Sequence, residues 1–210
     1  MPLQNRVTPT GEIVADPGRG LLTGNRGCLH IPDGRLGVSR WRSKLWICCT
    51  LDWRGRRRDP MPPGRWTMLF FLDEATALAA GHRPCAYCRR ADYVAFAEAW
   101  GRAAGLERRP KAVEMDARLH GERVDSRSRR QLTRAAPVID LPDGVMVRHR
   151  GTVGLVSGDR LLPWSFAGYG PPVPLPDRGD VELLTPPAIV GAIRAGYRPA
   201  THPSARPSSP

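Results

Sequence analysis

From Trp41 to Asp92 the pattern of apolar and polar positions passes from strand to helix and then to a turn. Trp41 to Trp53 reads as one long strand. Ile47, Cys49, Leu51 and Trp53 share one face of it, and Trp46, Cys48, Thr50 and Asp52 share the other. The first set is the more apolar and is expected to face the core. Phe70, Phe71 and Leu72 read as the end of a buried strand. Asp73 is placed to cap a helix, with Glu74 adding negative charge at its positive end. Ala75 to Ala80 favour helix, Gly81 stops it and Pro84 prevents its return. A second helix starts at Arg90 or Ala91, with Tyr93, Phe96, Ala97 and Trp100 on one buried stripe. Lys111 to Val124 is a third. Between Pro137 and Gly170, turn signals at Asp143-Gly144, Arg150-Gly151 and Gly158-Asp159 suggest a meander of three or four strands. Val181 to Leu184 is a further strand, and Pro186 to Ala195 a last helix stopped by Gly196.

These elements predict an α+β protein. A small antiparallel sheet with short helices is followed by a helical segment and a second small β-rich part. Four regions are expected. Residues 1–20, polar and rich in Pro and Gly, form a loose arm; 21–106, with the zinc-binding spacing Cys85-Ala86-Tyr87-Cys88, form an α+β domain; 107–200 form a helix and a meander; and 201–210 form a disordered tail. The chain of 210 residues is long enough for one large core or two small ones. Its 22 Gly and 22 Pro favour short elements over a helical bundle.

Directly after the Gly81 stop comes Cys85-Ala86-Tyr87-Cys88. Two thiols so spaced on a tight turn can share one tetrahedral metal, most often zinc. No run approaches a membrane span and no apolar signal core opens the chain, so a cytoplasmic location is expected. Thiols stay reduced there, and five cysteines, an odd number, suit a metal better than a disulfide framework. Cys49, at the sheet edge, is expected as a third ligand, with Cys48 in reserve. Cys28 and His30 project from one face of a short extended piece ahead of the Pro32-Asp33-Gly34 turn, and Cys28, or else His30, is expected to complete the site.

The stretch resembles the metal-binding N-terminal domain of the bacterial Ada DNA-repair proteins. The likeness runs over about residues 41–92 and rests on Glu74, Ala75, Leu78 to Gly81, Arg83, Pro84, Cys85, Cys88 and Arg89, with Leu45 to Cys49 as the upstream strand. It implies zinc, DNA as partner, and a metal-bound thiolate ending the upstream strand, which in that family takes a methyl group from a damaged phosphotriester. This chain departs in one respect. The family carries C-x-x-x-C on that strand, whereas Asp52 and Trp53 stand at the second position counted from Cys48 and Cys49.

The net charge of +12 suits a polyanion, DNA or RNA. Its densest cluster is Arg40, Arg42, Lys44, Arg54, Arg56, Arg57, Arg58 and Arg65, the expected nucleic-acid face. Trp41, Trp46, Trp53 and Trp66 are interleaved, two or more of them expected in the core and the rest free to stack on bases. Asp116 and His120, at i, i+4 on the third helix, are the candidate general-base pair, a carboxylate orienting an imidazole. The expectation is thus a DNA-associated zinc protein of repair or modification, its zinc mainly structural. The alternative is a DNA-processing enzyme: a glycosylase, a nuclease or a phosphotriester methyl acceptor.

Overall fold

Leu69–Phe71 is buried on both faces, and the chain runs from it directly into a helix in which every residue is buried. The computed structural model describes residues 1–55 and 59–206. In chain order the first part contains β1 (Gln4–Val7), β2 (Ile13–Ala15), β3 (Leu22–Asn25), β4 (Ile47–Thr50), β5 (Leu69–Phe71), α1 (Glu74–Ala79) and β6 (Arg83–Pro84). Next come α2 (Arg90–Ala103) and α3 (Ala112–Arg123). The second part holds β7 (Arg134–Pro137), β8 (Met146–His149), β9 (Thr152–Ser157), β10 (Arg160–Ser165), β11 (Gly168–Tyr169), β12 (Val173–Pro174), β13 (Asp180–Leu183) and α4 (Pro187–Arg194). The protein is therefore α+β.

The first sheet runs β2-β1-β5-β3-β4-β6. It is mixed rather than antiparallel throughout, because β1 pairs with β5 and β4 with β6 in parallel. The second runs β11-β10-β9-β8-β13-β7, with β12 added on β10, and contains the expected meander.

Helix α1 joins three apolar clusters, and its alanines allow the close approach this needs. Ala77 and Ala80 face the first sheet beside Cys48, Leu69 and Phe71. Ala75 and Ala79 meet Met146, Leu155 and Leu162 of the second. Leu78 joins the largest cluster, where Phe96 and Trp100 of α2 pack with Val147, Val181 and Ile189. The apolar interior thus runs across residue 106 without a break.

Several expectations are corrected. Residues 4–15 are not a loose arm but a hairpin, β1 and β2, hydrogen-bonded to the first sheet. The strand at Trp41 to Trp53 shrinks to Ile47–Thr50, and its inward face is the opposite one. Cys48 lies in the core, while Cys49 is only partly buried. Of the four interleaved tryptophans Trp46 alone is buried; Trp41, Trp53 and Trp66 are half-buried. The tail is ordered as far as Arg206, with a turn of 3-10 helix at Pro203–Ala205. It is held by the carboxylates that open α1. Asp73 caps Thr76 N–H through Oδ1 and accepts from Tyr169 Oη and His202 N–H through Oδ2, at 2.8 and 2.9 Å. Glu74 accepts from Tyr197 Oη at 2.6 Å and Ala200 N–H at 2.9 Å. Pro207 to Pro210 lie outside the described residues.

Trp46 is covered by two cations, the guanidinium carbons of Arg26 and Arg123 lying 4.0 and 3.9 Å from its ring. Arg26 Nε donates to His82 Nε2 at 3.3 Å. His82 is fully buried, and burial first, then the charges of Arg26 and Arg123, hold its pKa well below 6.5. Protonation at that site must follow unfolding, so this contribution is complete above pH 6.5 and is lost as pH falls below it. Denaturant unfolding of wild type should lose about 1.4 kcal/mol per pH unit more than His82→Gln does between pH 6.5 and 5. Equal slopes would remove His82 as the cause.

Candidate metal centre and adjoining cavity

The cysteine site forms where β4 meets the turn after α1. β4 and β6 are parallel, with Cys48 opposite Pro84, and Cys85 N–H donates to Cys48 C=O at 2.9 Å. The chain then turns at once into α2. Tyr87 N–H points back to Cys85 Sγ at 3.4 Å. Cys49 projects from the opposite face to Cys48, so Cys49, Cys85 and Cys88 come together, their sulfur atoms all within 4.8 Å of one another. The trio could hold a metal ion. The choice of Cys49 over Cys48 agrees with the sequence reading, but its physical reason is the reverse: Cys49 is available because it faces away from the core.

Thiols at this spacing hydrogen-bond to one another. The pKa of Cys85 is lowered to about 2 by hydrogen bonds from Cys49 and then Cys88. Donation to Cys85 raises Cys49 correspondingly. Cys48 belongs to a different environment. Burial raises its thiol to about 12, against the pull of Arg89, whose Nη1 donates to the sulfur at 3.2 Å. Arg89 also bridges Glu74 and Asp92, so it ties the turn to both helices.

Neither expected fourth ligand joins. Cys28 Sγ is directed at His30 C=O, 3.8 Å away. His30 has both ring nitrogens engaged: Nδ1 with Thr67 Oγ1 at 2.7 Å and Nε2 donating to Pro62 C=O at 3.0 Å. Among the described residues no other His, Cys, Asp or Glu stands with the three cysteines. On the side away from the core the trio instead borders a cavity of about 990 Å³. Its walls include Arg6, Arg19, Trp53, Trp66 and Tyr87. A cross-strand row on one sheet face, Arg6–Phe70–Thr23–Cys49, leads from the hairpin to the thiols.

The candidate general-base pair is not formed. Asp116 turns from His120 to Arg83, whose Nε and Nη2 donate to its two carboxylate oxygens at 2.8 and 2.7 Å, both side chains being buried. His120 packs edge-on against Trp41, and its Nδ1 has no partner. The basic cluster divides. Arg40, Arg42 and Lys44 lie on the segment bound to Arg26 and Arg123: Arg42 N–H donates to Arg26 C=O, and Arg123 Nη2 to Lys44 C=O. Arg54 and Arg65 are exposed and flank cavity-lining residues, Arg54 lying 5.2 Å over Trp53. Arg56, Arg57 and Arg58 lie outside the described residues.

The sequence reading missed the cavity and its first wall. Arg6 and Arg19 were legible only as charges in a polar, Gly- and Pro-rich stretch, with nothing local to bring them to Cys49. No helix among the described residues is long and apolar enough to cross a membrane. Compared with known proteins, the chain matches no protein-family model, no curated protein and no solved structure.

Proposed function

We propose that this chain is a zinc protein that binds nucleic acid, DNA above all, with the metal on Cys49, Cys85 and Cys88. One observation carries the reading: the thiol trio opens onto a cavity whose walls combine arginines with aromatic rings. Soft thiolate ligands in tetrahedral array favour zinc. Bound there, zinc would keep all three sulfurs as thiolates and supply a Lewis-acidic positive charge at the cavity wall. The charge of +12 and the resemblance to the Ada metal-binding domain point the same way. A role in DNA repair or modification follows as the working assignment.

The alternative, a DNA-processing enzyme, has one specific observation in its favour. The described residues supply three ligands rather than four, and zinc sites with three protein ligands are the ones that meet substrate. If the chemistry is methyl transfer from a phosphotriester, intact protein gains one methyl group on incubation with methylated DNA. Cys48→Ala keeps the gain, because that thiol is buried against Arg89, and Cys49→Ala loses it.

Binding itself is tested at the cavity rim. Double-stranded and single-stranded oligonucleotides should bind with an affinity that falls steeply with salt. Arg54→Glu with Arg65→Glu should weaken binding alike across sequences and reduce the salt slope by about 2. Binding at wild-type strength with an unchanged slope would move the face elsewhere.

A further inference from the structure

We infer that the cavity beside the cysteines takes a single nucleotide unit, with its phosphate at Arg6 and Arg19 and its base among the aromatic side chains toward Cys49. This rests on the nucleic-acid reading above and names what enters the site.

Scale comes first. A cavity of about 990 Å³ accommodates a nucleoside monophosphate with room for solvent. The row from Arg6 to Cys49 crosses three strand spacings, roughly 14 Å, which is about the reach of a phosphate, sugar and base in line.

Of the described residues that line the cavity, Arg6 and Arg19 are the cations, and they stand close enough for Arg19 to act on Arg6. Among the described residues neither Arg6 nor Arg19 forms an ion pair with a carboxylate within hydrogen-bond reach, although Asp16 attracts Arg6 from further off. Arg6 is fixed for its task. Its Nε donates to Gly18 C=O, its Nη1 to Asn5 Oδ1, and its guanidinium lies 4.8 Å over the Phe70 ring. Fixed, forked guanidinium groups suit phosphate oxygens.

The polar groups left over complete the case. Asn5 sits at a bulge in β1 and lines the cavity with none of its surface open to water. Because its Oδ1 accepts from Arg6, the amide nitrogen is the free end, and it has no partner. The indole N–H of Trp53, also on the cavity wall, likewise has none. A buried donor without an acceptor costs about 1–3 kcal/mol. The Asn5 amide, beside Arg6, suits a phosphate oxygen, and the Trp53 indole N–H, beside Tyr87, suits a ring acceptor such as every nucleobase carries. Trp53 and Tyr87, 5.3 Å apart and tilted, provide ring faces for stacking.

The test uses the zinc-loaded full chain with three probes: deoxynucleoside 5′-monophosphates, a single-stranded oligonucleotide carrying 2-aminopurine, and the matching duplex. Expected are saturable binding of the single strand and quenching of 2-aminopurine as it stacks. Arg19→Glu and Tyr87→Ala, both exposed positions, should each weaken single-strand binding about ten-fold or more while melting and zinc content stay as in wild type. Arg6→Ala and Asn5→Leu should do the same wherever they fold. Free monophosphates binding comparably to the strand would assign the site to free nucleotides; strand binding alone would assign it to nucleotides within DNA. Unchanged affinity in Arg19→Glu and Tyr87→Ala, or binding of the duplex only, overturns the inference and leaves the nucleic-acid reading in place. No binding of any probe at low salt overturns both.

Discussion

Cys85→Ser should remove the metal: zinc in the purified protein is expected to fall from about one per chain to near zero, and the thermal midpoint with it. Cys85 is the residue on which the trio converges. It accepts hydrogen bonds from both other thiols and from Tyr87 N–H, and its own N–H joins the turn to β4. A structural zinc contributes about 10–16 kcal/mol of apparent binding energy in small domains near neutral pH. Here α1 and both sheets retain a large apolar interior without it, so partial folding with a lower midpoint is the expected outcome. Chelation of wild type should give the same midpoint. Cys28→Ser should leave zinc at one per chain, since its sulfur is turned to His30 C=O. Stoichiometric zinc in Cys85→Ser, or its loss in Cys28→Ser, would put the metal elsewhere.

Asp116→Ala should destabilise the protein by about 3–5 kcal/mol, because Arg83 would be left charged and buried without its partner. For a chain of this size that is roughly 6–20 °C in thermal midpoint. Arg83 Nη1 also donates to Pro84 C=O, next to Cys85, so the loss should loosen the metal turn and raise its zinc dissociation constant. Replacing both partners with apolar residues, Arg83→Met with Asp116→Leu, should recover much of the stability. His120→Gln should cost far less than Asp116→Ala, since no bond joins His120 to the carboxylate. Equal and large losses from Asp116→Ala and His120→Gln would restore the pair that the helix spacing suggests.

The parts legible in the sequence are those with local signals. The Asp73 cap, the alanine run and the Gly81 stop specify α1 within a few residues, and Cys85-Ala86-Tyr87-Cys88 specifies the turn that brings two thiols to Cys49. Pro187 at the first turn and Gly196 after the last bound α4, and paired turn residues mark the meander. What stayed hidden depends on distant pairing. The β1–β2 hairpin is short, and its place is fixed by β5 far along the chain. The two faces of β4 were read over too long a strand. Only Ile47–Thr50 is extended, so apolar residues beyond it misassigned the inward side. Asp116 and His120 share a helix face, but the carboxylate is taken by Arg83 from another element. The tail looked disordered because its partners, Asp73 and Glu74, were already accounted for as a cap and a dipole charge.

The claim at the centre is that three cysteines hold one zinc and leave its fourth position to the cavity. X-ray absorption at the zinc edge of the purified full chain reads this directly. Expected is about one zinc per chain with three sulfur neighbours at about 2.3 Å and one lighter neighbour, oxygen or nitrogen, that changes when nucleotide is added. Four sulfur neighbours, or a folded protein with no zinc and all thiols free, would contradict it.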